Sequence, residues 1–511
     1  MKKSILLFVG FFAFATLQAQ WVNDPAVNTF IANCSNSAGE VYVDTDHASG
    51  DIYVQWHYQG DNGWSPWLQR LDANGVPQWP ADGIHITTPD FATWSPGYSM
   101  TAIEGGVVST FRTLGPHHWA VRINADGSFP WGEHGIMLFN GEGGGRSEIL
   151  AGDDGGVWTL GTDMDNSFLQ YVNADGTMRS MATITDPAKK CTNGILLPAD
   201  GGVFVVYAKQ TIQGYSNYIK EIYVAKYDKD GQQILPETLL LGQQTVGMSY
   251  VHYAISDGVG GGYVFQWHNG IGGVYNTYVT HFNANGAPTI MEPNGIPVHS
   301  YDPSHYYTNA DVTIDPLSHD LIIAYRQTDS EAQVQDMVMM NRITALGEKP
   351  WNDGLNVTDA IADYSNIRVD AFENGEGFSV IYTAGNTLMA AGYDMDGNSI
   401  WNTVMSTTGY EKSISENSTG FYHGQNIIAW VNNSRGNLYG QNIGWDGSMG
   451  EIPTTSVPES VEEEIISITK VYTIYGQLLP NTNLENLRRG VYIVQGLNKD
   501  GKPVTRKLLV E

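Results

Sequence analysis

The stretch RINADGSFPWGEHGI, residues 122–136, decides the fold. An Asp-Gly pair, Asp126–Gly127, interrupts two extended runs, and Trp131 follows four residues after the glycine. Near-copies recur as RLDANGVPQW (70–79), YVNADGTM (171–178), KYDKDGQQIL (226–235), HFNANGAPTI (281–290), RITALGEKPW (342–351), GYDMDGNSIW (392–401) and NIGWDGSMG (442–450). Their glycines are Gly75, Gly127, Gly176, Gly231, Gly286, Gly347, Gly397 and Gly447, spaced roughly fifty residues apart. Such a period indicates an array of one supersecondary unit. Asp-Gly and Asn-Gly predict a type I′ turn, in which both central residues take positive φ.

A second hairpin precedes each copy, as in EGGVVSTF (104–111), DGGVFVVY (200–207) and GEGFSVIY (375–382). These apolar runs are almost continuous, as expected of strands covered on both faces. Each unit therefore holds four strands, A to D, with a glycine turn between A and B and the Asp-Gly turn between C and D. Eight such units define an all-β chain, an eight-bladed β-propeller over residues 20–450. The eighth unit stops at GSMGEIP without a strand D. The N-terminal QWVNDPAVNTFIA (20–32) reads as a strand D without its own strand C. It is expected to complete the eighth blade and so remove two open sheet edges.

The G-x-x-x-W spacing resembles the tryptophan-docking pattern of quinoprotein-type propellers. Sialidase-type Asp-boxes are similar too, but they place a residue between Asp and Gly, whereas Asp126 and Gly127 are adjacent. Neither resemblance transfers catalytic residues; the copied turn itself reads as a scaffold part, its tryptophan expected to wedge between blades rather than contact a ligand.

Residues 1–19, MKKSILLFVGFFAFATLQA, have a basic start, a short apolar run and a small-x-Ala end, the pattern of a secretory signal peptide. No other stretch is apolar enough to span a bilayer, so no transmembrane span is expected in the mature form. The net charge of −28 argues against a nucleic-acid partner, which would need a basic face. Glycine is abundant, at 58 of 511 residues, and aromatics reach 11%, which suits a turn-rich β protein. Only Cys34 and Cys191 occur. Two cysteines cannot staple a chain of this size, and both are expected to be buried, unpaired thiols.

Residues 451–465, EIPTTSVPESVEEEI, read as an acidic linker. Residues 466–511 carry seven Lys/Arg against three Asp/Glu, a reversal of sign, over three short strand patterns. With IYGQLL (474–479), LRRGVYIV (487–494) and TRKLLV (505–510), this tail resembles the C-terminal sorting domain of type IX secretion cargo. The matching residues are Gly476, Gly490, Val491, Tyr492 and Lys507. The resemblance implies a small β-sandwich-like domain, the type IX machinery as a partner, and export across an outer membrane to the medium or cell surface.

Zincin, nucleophile-elbow, Walker and CxxC motifs are absent. The scattered histidines close no zinc or copper site, and calcium is the candidate cofactor, at Asp163 and Asp165 of TDMDN (162–166), since it favours oxygen ligands, although the full D-x-D-x-D-G loop is not met. Two carboxylates near the central channel could hydrolyse a glycosidic bond. With 54 acidic residues, the sequence does not single out a pair. The A–B and C–D turns share one face and are short. The B–C and D–A connections share the other and are long. Trp64, Trp94, Tyr98, His118, Tyr215, Tyr301 and His305 fall on or beside these long connections, where a rigid scaffold commonly carries function. The expected activity is recognition of a glycan or protein ligand by that face. The alternatives are a polysaccharide hydrolase or lyase with channel carboxylates, and an adhesion component without a small ligand.

Overall fold

The computed structural model describes residues 21–34, 38–60, 63–86, 99–113, 117–140, 147–163, 165–213, 217–247, 252–269, 273–331, 336–358, 366–409, 412–414, 417–422, 424–432, 437–450, 467–473, 479, 490–497 and 503–510. The chain divides into two units, Met1–Ile452 and Pro453–Glu511. The leader at 1–19, the linker at 451–465, Trp94, Tyr98, Tyr215 and Gly476 lie outside the described residues.

The first unit is an eight-bladed β-propeller of antiparallel sheets. In the first blade, Ala38–Asp46 pairs with Asp51–Gly60, which pairs with Gly63–Leu71, which pairs with Ile84–His85. The same order recurs within 99–140, 148–184, 190–247, 253–297, 305–356 and 367–406. In the eighth blade, Lys412–Ser413 and Thr419–Tyr422 pair with Gln425–Asn432, which pairs with Asn437–Gly444. The outermost strand is Thr29–Asn33, antiparallel to Asn437–Gly444 with Thr29 opposite Gly440. The N-terminal segment thus closes the ring as expected. The Asn28 amide also donates to the Thr408 hydroxyl at 3.0 Å, and the Thr407 N–H to the Pro25 carbonyl at 2.7 Å.

The repeated turn differs from the expected type I′. Gly127 has φ of 83°, but Asp126 has no positive φ. The Gly127 N–H bonds the Asn124 carbonyl at 2.8 Å, and the Asn124 N–H bonds the Ser128 carbonyl at 2.9 Å. This is a type I turn closed by a left-handed glycine, the three-residue hairpin loop. The Asp126 carboxylate serves the turn, accepting both the N–H and the hydroxyl of Ser128.

The glycine has a second reason to be there. The indole N–H of Trp21 donates to the Ala73 carbonyl of the first blade's turn at 3.0 Å. Trp79 reaches Ala125 at 3.1 Å, Trp131 reaches Ala174 at 3.2 Å and Trp401 reaches Trp445 at 2.8 Å. Each indole comes from the outer part of one blade and docks on the turn of the next, lying over its glycine. In the sixth blade, Trp351 covers Gly397 while the Arg342 guanidinium takes the turn carbonyl, Met395, at 2.8 Å. Where tryptophan is missing, Ile290 covers Gly347. Among the described residues of this unit, eight apolar clusters form, each between two successive blades.

The B–C connections are largely paired strand rather than open loop. KQTIQGYSNYIKE (209–221), read as a loop, lies mostly in the hairpin of Gly202–Gln213 and Asn217–Tyr227. Cys34 and Cys191 are buried and unpaired. The second unit shows a three-stranded antiparallel sheet of Ser467–Thr473, Gly490–Leu497 and Pro503–Val510. Gly490, Val491 and Tyr492 open its middle strand, and Lys507 stands opposite Ile493.

A matched pair of substitutions tests the docking. Gly75 and Gly105 have φ of 81° and 73°, so alanine is strained at both. A Cβ on Gly75 would stand 2.5 Å from the Trp21 ring, whereas one on Gly105 would meet nothing within 4 Å. Gly75→Ala is expected to lose about 1–3 kcal/mol more stability than Gly105→Ala in chemical denaturation, the cost of an overpacked contact.

Candidate axial site

Strand A is the innermost strand of each blade and has a partner on one side only. Its outward N–H groups need acceptors, and acidic side chains on neighbouring blades supply several. The Asp44 Oδ2 accepts the Ala102 N–H at 2.7 Å, and the Asp311 Oδ2 accepts the Val369 N–H at 2.8 Å. The Thr313 hydroxyl accepts the Ala371 N–H at 3.0 Å, and the Val43 N–H donates to the Asn417 carbonyl at 2.7 Å.

Three A strands carry a one-residue bulge, at 39–42, 192–195 and 308–311. Each holds a non-glycine residue with left-handed backbone: Glu40 at φ of 38°, Asn193 at 53° and Asn309 at 50°. A bulge re-aims side chains, and the extra residue leaves the ladder.

These strands enclose a cavity of about 440 Å³ on the ring axis. Its wall comes mainly from strand A, or the residues leading into it, in seven of the eight blades, with Phe265 of a second strand, and includes Val43, Glu148, Asn193, His252, Tyr253, Asp311, Asp370 and Thr419. The Tyr253 ring is half-buried and stacks on Phe265 with centroids 5.3 Å apart. His252 is buried. Burial, reinforced by the nearby Lys220, pushes its imidazole down to about 3, so it is neutral at ordinary pH. Its Nδ1 has no hydrogen-bond partner among the described residues.

Asp311 and Asp370 differ in surroundings. The Asp311 Oδ1 is 3.7 Å from the Arg368 guanidinium. Asp370 accepts a long bond, 3.4 Å, from the Thr419 hydroxyl, and its Oδ2 is buried without a partner among the described residues. Burial pushes the Asp370 carboxyl up to about 7, aided by the Asp311 charge and opposed by Thr419 and Arg368. Burial likewise raises Asp44. A carboxylic acid protonated near neutrality beside a second carboxyl group held by an arginine is an arrangement suited to proton transfer or to donating a hydrogen bond to a ligand.

Of the residues singled out on the long connections, the four described ones, Trp64, His118, Tyr301 and His305, stand in different surroundings. Trp64 is half-buried on strand C of the first blade, edge-on to His57 with centroids 5.4 Å apart. His118 is fully buried, bonded to the Ser147 hydroxyl at 2.6 Å and stacked on Phe139 at 4.3 Å. Desolvation holds its imidazole down at about 4. This places His118 in the packing between the second and third blades, away from any exposed loop. Tyr301 is exposed. His305 pairs with the Asp302 carboxylate at 2.7 Å.

The Asp163 Oδ1 accepts the N–H groups of Asp165 and Asn166, and Asp165 pairs with Lys190 at 2.9 Å. Among the described residues no cluster of three His, Cys, Asp or Glu could hold a metal ion. The axial wall was not legible beforehand. The available signal was an acid inside an otherwise apolar innermost strand, as in NADVTID and NIRVDAF.

No family model and no curated protein matches the chain. Among solved structures it is similar to the BP39L lectin of Burkholderia pseudomallei, at 10% identity over 74% of this chain and 100% of the lectin, with a TM-score of 0.47. The Dos1 propeller gives 10% identity over 83% and 95%, with a TM-score of 0.46. The polysaccharide lyase Uly1 gives 12% over 72% and 94%, with a TM-score of 0.43. At such identities and scores these likenesses carry nothing about activity to this chain.

The raised Asp370 carboxyl has a measurable consequence. Between an ordinary aspartate value, roughly 4, and about 7, the folded protein keeps a proton that the unfolded chain has released. Stability is therefore lost as pH rises through that window. Asn at this position mimics the protonated acid and does not titrate. The stability of Asp370→Asn relative to the parent is expected to rise from pH 4 to pH 8 in urea denaturation. A constant difference would show that Asp370 titrates normally.

Proposed function

We propose that this propeller is an exported glycan-binding protein whose ligand sits in the axial cavity, entering from the face of the long connections. The observation that carries this reading is the cavity itself. Its volume of about 440 Å³ lies within the range of small-molecule sites. Its wall sets an aromatic ring, Tyr253, beside amide, imidazole and carboxyl groups, a combination that stacks on a sugar ring and bonds its hydroxyls. Export by the type IX route rests on the sorting-like tail and the leader-like N-terminus.

A second reading, polysaccharide hydrolysis, is favoured by the contrast between Asp370 and Asp311. An acid that stays protonated near neutrality is what leaving-group protonation needs. Elimination from an acidic sugar is less well supported, because no Lys or Arg among the described residues lines the cavity to neutralise a uronate.

Glycan arrays and a polysaccharide turnover screen with the full chain separate these readings. Binding without turnover is expected. Turnover abolished by Asp370→Asn would establish the hydrolase instead. Retention of no glycan, with no turnover, would end both. If recognition used the long connections alone, replacing Trp64, Trp94 and Tyr301 together would abolish binding. Binding in the cavity is expected to persist within about tenfold of the parent's Kd, a change of ~1.4 kcal/mol.

A further inference from the structure

Resting on the reading of the propeller as a glycan binder, we infer that the axial cavity takes an uncharged sugar, with the Tyr253 ring as its stacking platform and the Asn193 amide as its polar anchor. Asn193 stands in a left-handed backbone conformation, φ of 53°, inside the bulge that breaks the pairing between Thr192 and Ile195. Glycine would adopt that conformation without strain, and asparagine is the more tolerant of the other residues. The sequence nevertheless places an amide there. It is half-buried and lines the cavity. Tyr253 lines the same cavity, its ring backed by Phe265. An amide donates and accepts, matching a hydroxyl that does both. A backed, rigid ring presents a flat apolar face, matching the C–H face of a pyranose.

The wall also selects by charge. Its ionisable members are Glu148, Asp311, Asp370 and His252, and no lysine or arginine among the described residues joins them. Arg368 donates to the Ile367 carbonyl at 2.6 Å and lies near Asp311, so it is engaged behind the wall. Lys220 is buried beside His252. An anionic sugar would bring its carboxylate or sulfate against Glu148 and Asp311, which disfavours it by like-charge repulsion, with Asp370 adding to this as it ionises. The stacking ring, the amide and the unpartnered Asp370 Oδ2, which can meet a hydroxyl, are the groups expected for a neutral ligand.

Titration calorimetry with the full chain tests this, using neutral, uronate-containing and amino-sugar oligosaccharides as probes. The neutral set is expected to bind. Asn193→Gly should weaken it about tenfold or more while leaving thermal stability equal to or above the parent, because glycine suits the backbone. Tyr253→Ala should weaken binding at least as much, and Tyr253→Phe should largely restore it. Preference for the uronate or amino-sugar set would overturn the inference while leaving a glycan binder in place. So would neutral-sugar binding that is unchanged in Asn193→Gly and Tyr253→Ala but lost on replacing Trp64 and Tyr301. Absence of binding by all three sets would overturn the inference together with the reading on which it rests.

Discussion

The structure depends on one contact repeated round a ring: an indole or its substitute from one blade, laid on the glycine of the next blade's turn. The contact combines burial of a large ring with a hydrogen bond from its N–H to the turn carbonyl, so the polar end of the indole is not left unmet. At Gly75 it also explains why the turn glycine cannot be exchanged for another residue tolerant of left-handed backbone. Asparagine could adopt the conformation of Gly75, but its Cβ would enter the Trp21 ring. Sequence periodicity, turn chemistry and inter-blade packing are thus three expressions of a single geometric requirement.

The fold was legible because that requirement writes itself into short local strings. The Asp-Gly and Asn-Gly copies marked the C–D turns, and the near-continuous apolar runs marked strand B. The lone strand pattern at 20–32 marked the closure, which the pairing of Thr29–Asn33 with Asn437–Gly444 displays. The turn type was misread for a physical reason. Asp-Gly suits a type I′ turn, but it equally suits a type I turn in which the aspartate caps the loop and only the glycine is left-handed.

The axial site was far less legible. Its residues sit mostly on or just before strand A, and its wall is assembled from seven blades, from Val43 to Thr419. Asp311 and Asp370 look like ordinary acids in a chain with 54 of them. Only the ring geometry shows that one lies near Arg368 and bonds a neighbouring N–H, while the other has an oxygen with no partner among the described residues. His118 failed as a surface candidate for a related reason. The His117–His118 pair reads as polar connection, but strand C begins at His117, and alternation then turns His118 inward against Phe139.

The N-terminal strand sets the order in which the molecule can be finished. Thr29 and Gln441, bonded side chain to side chain at 3.3 Å, are separated by 412 positions. Every other strand can find its sheet partners within its own repeat, so seven blades can mature as soon as their segments are available. The eighth cannot, and until it does a largely buried strand and the Trp21 indole have no place to go. Such a long-range pairing is the slow kind, paid in chain entropy before any contact rewards it. The closing seam is therefore the step at which loop-closure entropy weighs most, and until it forms the Thr29–Asn33 strand lacks its partner.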